Sequence, residues 1–81
     1  PMPNPRERHL LWSKSLPENI QHDTSINLID LAEQFELTGA SILNAVQYAA
    51  LLSYSRKDNK LFQADLIEGI KKEFLKEEKS F

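Results

Sequence analysis

The sequence predicts an all-α fold, a small four-helix bundle, and three observations carry that prediction. Apolar residues recur at helical spacing in three separate segments, among them Leu28, Leu31, Ala32 and Phe35 at i, i+3, i+4 and i+7. A further helix is opened by the capping pattern Asn4-Pro5 with Glu7. The connections between these segments are short, as helices packed side by side require. With 81 residues the chain makes one small domain, burying roughly 60–65% of its unfolded surface.

The first helix has Asn4 as N-cap, Pro5 at its first position and Glu7 placed to complete a capping box. It runs through Leu10, Leu11, Lys14 and Ser15 until Pro17 stops it, with Leu11, Trp12 and a neighbouring leucine as its buried stripe. Glu18 to Thr24 is polar and reads as a loop. Thr24 or Ser25 is expected to cap the second helix, "INLIDLAEQF". Glu36 to Gly39 then forms a turn.

The third helix is expected from about Ala40 to Ser55. Ile42, Ala45, Val46, Ala49 and Ala50 line one side, extended by Leu51 or Leu52, so this helix is predicted to be the most buried. Arg56 to Lys60 is a solvated turn, and Leu61-Phe62 a short extended anchor. The last helix spans Gln63 to about Glu77 on a stripe of Leu66, Ile70 and Phe74, supported by Ile67. Gly69 in its interior costs about 1 kcal/mol relative to Ala and implies a close packing contact. The charged tail that follows is expected to fray, over residues 79–81.

Composition excludes several functions. The chain has no cysteine, so neither a disulfide framework nor a thiolate metal site is available, which fits a cytoplasmic setting. No apolar run approaches the ~20 residues of a membrane span. A formal charge of −2 argues against a dedicated nucleic-acid binder. Gly39 and Gly69 are the only glycines, so no phosphate-binding GxxxxGK[ST] loop exists. His9 and His22 are the only histidines, 13 positions apart, and read as surface residues rather than metal ligands. The pair Glu77-Glu78 belongs to a charged, solvated run, and no nucleophile elbow is present. The chain by itself is not expected to be an enzyme.

The stretch "FELTGASILNAVQYAA" has the outline of a helix-turn-helix. The turn, however, opens at Glu36 where glycine is preferred, and Gly39 falls where the second helix begins. That helix would present Ser41, Asn44, Gln47 and Tyr48, with no Lys or Arg before Arg56 to grip phosphate. A stand-alone protein-interaction or DNA-binding helical module is therefore the alternative reading. Gly39 has two readings of its own: a tight turn with positive φ, or a gap through which backbone approaches a ligand.

The ordered set of a Pro-containing linker, Arg8 before "LLW", an acidic loop, "INLIDLAEQF", "LTGASILNAVQYAALL" and "KLFQADLIEGIKKEF" resembles the C-terminal helical lid of a bacterial AAA+ ATPase. The resemblance spans residues 1 to about 78 and is closest to general ATP-binding members near the AAA branch proper. It implies a linker remnant over 1–4, cut from a longer polypeptide as the absence of a first methionine also fits, and a lid over 5–78. It implies a parent ATPase whose Walker domain, upstream in the same chain, holds ATP and magnesium. The lid would then close over the nucleotide, within a homo-oligomeric ring acting on an unknown protein substrate. Leu11 and Ser15 match positions flanking the adenine, and Gly39 and Ala40 the small pair whose backbone lies against base and ribose. Ala40 falls about where many relatives place a γ-phosphate-sensing arginine, so that sensing is not carried over to this lid. Ser41 stands in place of the family's Asp at the helix cap. Read from the residues alone, Leu11 is a core position before it is an adenine shelf, and Ser15 a solvent-facing helix end. Trp12 is core or faces the missing domain, and Arg8 is a surface or interdomain salt-bridge residue.

Overall fold

A computed structural model describes residues 2–81; Pro1, the first residue of the expected linker, lies outside them. Helix α1 spans Pro5–Ser15, α2 Leu28–Gln34, α3 Gly39–Arg56 and α4 Gln63–Lys76. Two short strands, β1 (Gln21–His22) and β2 (Lys60–Leu61), join the helices. The all-α expectation holds at the level of four packed helices.

Helix α1 starts as its sequence dictates. The Asn4 side chain accepts from the Glu7 N–H at 2.8 Å, and the Glu7 carboxylate accepts from the Asn4 N–H at 2.9 Å. The buried stripe of α1 differs from expectation in one residue. Trp12 is fully buried, Leu11 and the neighbouring Leu16 are half-buried against the core and Leu10 is exposed, but Arg8 is a further inward residue. Instead of lying at the surface in an ion pair, Arg8 is 3% exposed. Its guanidinium donates to the Ala32 carbonyl at 2.8 Å and the Pro3 carbonyl at 2.6 Å. Burying a cation requires strong acceptors, and here they come from the end of α2 and the segment before α1.

The expected loop at 18–24 contains β1, which pairs parallel with β2 in the register Gln21↔Lys60 and His22↔Leu61. Buried Ile20 and Leu61 anchor the two strands in the core. Helix α2 starts later than expected. Its N-cap is Asn27, whose side chain accepts from the Asp30 N–H at 3.0 Å. Ser25, a predicted cap for α2, serves α4 instead: its hydroxyl accepts from the Gln63 N–H at 3.1 Å. Gln63 and Asn27 exchange two further hydrogen bonds, which ties the two helix starts together.

Helix α3 packs against both α1 and α4, as the central position predicted for it requires. Ile42, Ala45, Val46 and Ala49 are buried and Leu52 is half-buried, whereas Leu51 points outward. The approach of α4 explains Gly69. A Cβ there would lie 2.8 Å from Ala45 Cα and closer still to the Ala45 carbonyl oxygen, so only a glycine fits this crossing. At the far end of α3, Arg56 grips Asp65 with its two terminal guanidinium nitrogens at 2.7 and 2.9 Å. Its Nε donates to Asp58, and the group lies 5.3 Å from the Phe62 ring centre. The Asp65 carboxylate also accepts from the Phe62 N–H at 2.9 Å, closing the start of α4.

Candidate functional site

The α2–α3 corner, residues 35–39, is where Leu11 of α1 comes near Gly39, while Ser15 is not shown in contact with it. Helix α3 begins one residue earlier than expected. Thr38 is its N-cap, with the side-chain oxygen accepting from the Ser41 N–H at 3.1 Å. Gly39 is therefore the first helical residue rather than the last turn residue, and its φ is not positive. The tight-turn reading of Gly39 is thereby overturned. Leu37, 2% exposed, pins the corner into the core from beneath.

Leu11 and Gly39, 28 positions apart in sequence, meet here. The two methyl carbons of Leu11 lie 3.7 and 3.8 Å from the place a Gly39 Cβ would occupy. Ser15 lies one turn beyond Leu11 on the same face of α1, and both are half-buried. Ala40 is exposed next to Gly39. The Ile42 N–H reaches the Thr38 carbonyl and the Ser41 N–H the Thr38 side chain. Among the described residues, no acceptor meets the N–H groups of Gly39 and Ala40. They are the free donors that every helix start leaves, and they carry its partial positive charge. Chemically, the corner offers an apolar shelf from Leu11 beside two free backbone donors.

Sequence reasoning placed Ser41 on an outward face, but it is 6% exposed, and its hydroxyl donates to the Glu77 carboxylate at 3.3 Å. Asn44 donates to the nearly buried Glu73 at 3.3 Å, and Lys72 lies 5.3 Å from the Tyr48 ring centre. Helix α4 thus covers much of the α3 face that a DNA-reading module would need. The signal for Glu73 was available: it continues the Leu66–Ile70 stripe by i+3. Ser41–Glu77 spans 36 positions and had no local signal.

A groove of about 440 Å³ lies alongside Leu11, lined also by Met2, Pro3, Glu7 and Leu10. The larger cavity, about 570 Å³, lies elsewhere and holds both histidines together with Asp23. There the His22 ring nitrogen is 2.8 Å from the Pro17 carbonyl oxygen, which occupies it in the β1 connection. Among the described residues no group of three His, Cys, Asp or Glu is arranged to hold a metal. No helix is long and apolar enough to cross a membrane.

No protein-family model matches the chain, and neither does any curated protein.

Proposed function

We propose that this chain is the helical lid of an AAA+ ATPase, supplying one wall of a nucleotide site through Leu11, Ser15, Gly39 and Ala40. The observation that carries the reading is that Leu11 lies alongside Gly39, its methyls 3.7 and 3.8 Å from where a Cβ would stand. Two residues assigned to the adenine wall from separate motifs meet across the α1–α3 junction, beside free N–H groups. The fold itself does not demand glycine at 39, because φ is not positive and a Cβ would make only ordinary contacts. A surface that something else approaches closely accounts for a glycine there. Ala40, exposed and small, keeps the same approach open.

In this role the lid holds the base side of the nucleotide, while phosphates and magnesium belong to the Walker domain of the parent chain. Hydrolysis then becomes rotation of the lid relative to that domain, in a homo-oligomeric ring in the cytoplasm. The exposed Leu43, Leu51 and Tyr54 lie on the outer side of α3 and favour a protein neighbour on that face. They serve equally the second reading, a helical protein-interaction module.

The test uses the chain joined to its upstream ATPase domain. Leu11→Ala is expected to raise KM for ATP about tenfold, the loss of a partly buried apolar contact of about 1.4 kcal/mol, with kcat little changed. The 81-residue chain alone is expected to show no micromolar ATP binding by calorimetry. Micromolar binding by the chain alone, or an unchanged KM, overturns the assignment.

A further inference from the structure

The segment after α4, exposed throughout, turns back against the helices. The end of α4 is closed by two hydrogen bonds, Lys79 N–H to the Phe74 carbonyl at 2.8 Å and Glu78 N–H to the Leu75 carbonyl at 3.1 Å. Glu78 takes a left-handed φ of 56° to make them. This is the Schellman arrangement, which reverses the chain sharply at a helix end. The reversal brings the Phe81 ring onto Phe35, stacked at 5.5 Å with planes 18° apart, and edge-on to Phe74 at 5.9 Å. Lys71 lies over the outer face of the Phe81 ring at 5.2 Å.

Phe35 is the C-cap of α2 and Ser41 lies in the first turn of α3, so residues 35–41 enclose the corner that carries Gly39 and Ala40. The segment touches both flanks of that corner. Phe81 stacks on Phe35 before it, and Glu77 accepts from Ser41 after it. Asn44–Glu73, one turn further along α3, ties α3 to α4 itself and not to this segment. We propose that residues 77–81 form a strap that positions the α2–α3 corner, so that docking or release of the strap is felt at the Gly39–Ala40 backbone. Ser41 and Glu77 are its positioning residues. The consequence for a nucleotide wall rests on the lid reading, whereas the mechanical coupling does not.

The experiment is amide hydrogen exchange, read by NMR on the 81-residue chain without nucleotide, so its failure is separate from failure of the lid reading. Phe81→Ala and Glu77→Ala are expected to speed exchange at Ser41, Ile42 and Leu43 about fivefold, the factor one net hydrogen bond is worth. Amides of Leu66 to Ile70 keep their protection. Glu77→Gln restores slow exchange at Ser41, because its amide oxygen still accepts the hydroxyl. Phe81 and Glu77 are both exposed, so neither truncation puts folding at risk. Unchanged exchange at 41–43 overturns the strap. So does an equal rise across α4, which marks general destabilisation, or a Glu77→Gln that behaves like Glu77→Ala.

Discussion

Gly69→Ala places one methyl group into the tighter of the two glycine sites, against the Ala45 backbone. On an open helix face that change would add about 1 kcal/mol of stability through helix propensity. Here the new Cβ would lie 2.8 Å from Ala45 Cα, and the obstacle is backbone rather than a side chain that can rotate away. To admit it, α4 must lift from α3 along a seam that includes the fully buried Leu66, Ile70, Ala45 and Ala49. Overpacking of this kind costs about 3 kcal/mol where the neighbours cannot yield, leaving a net loss of about 2 kcal/mol. For a domain of this size Tm then falls by about 8–16 °C. Thermal and urea unfolding followed by circular dichroism measure it, and the emission of buried Trp12 gives a second probe of the same transition. Gly39→Ala is the control: its Cβ meets Leu11 at 3.7 Å, ordinary contact, and stability is expected to stay within about 0.5 kcal/mol of the parent. If Gly69→Ala is as stable as the parent, or if the two alanines cost the same, the account of the α3–α4 crossing is wrong.

Arg8→Ala is expected to lose about 3 kcal/mol in urea titrations, since it strips charged donors from two carbonyls and removes a buried stem. Arg8→Lys should recover less than half, because a single ammonium cannot span both acceptors; full rescue by Lys counts against the geometry. Glu78→Gly, relieving a left-handed non-glycine residue, is expected to raise stability by about 1 kcal/mol, and a loss there argues against the Schellman turn. Acid unfolding gives the last of these tests. Hydrogen bonds from Ser25, with Lys60 nearby, hold the Asp23 carboxyl below its ordinary value of 3.8. Arg56 does the same for Asp58. Both folded values are depressed, so their contribution is present above pH 3.8 and is lost as pH falls through the lower folded values. Asp23→Asn with Asp58→Asn should flatten that part of the stability profile, and an unchanged acid slope contradicts the assignment.

The helices were legible because their signals are local. Asn4, Pro5 and Glu7 act within four residues of each other, and the Leu66–Ile70 stripe repeats every turn. What escaped was set by distant partners. Thr24, Ser25 and Asn27 are all competent caps, and Gln63, 36 residues beyond Asn27, decides which of them serves which helix. A parallel pair of two-residue strands is too short to show alternation. Arg8 defied the usual rule that guanidinium stays at the surface, although it sits one turn before Trp12 on the buried face. Of the candidate site, the sequence named residues but not their proximity. Leu11 and Gly39 could be matched to separate motifs, while their meeting depends on how α1 lies across α3.

The two glycines also separate folding from use. Gly69 is needed by the fold, since any side chain there meets the Ala45 backbone. Gly39 is not: it has an ordinary helical start, Thr38 already caps the helix, and a methyl group would find room against Leu11. A residue whose glycine character the fold does not require is informative about what lies outside the fold. At Gly39 two N–H groups are without an acceptor among the described residues, Leu11 lies alongside and Ala40 is exposed. The strap ties both flanks of that corner through Phe35 and Ser41. A wall that must meet a ligand with its backbone needs small residues at the point of contact and rigid support at either side. The corner between α2 and α3 combines the two, and for that reason the proposed nucleotide wall is sought there rather than in the larger cavity around His22.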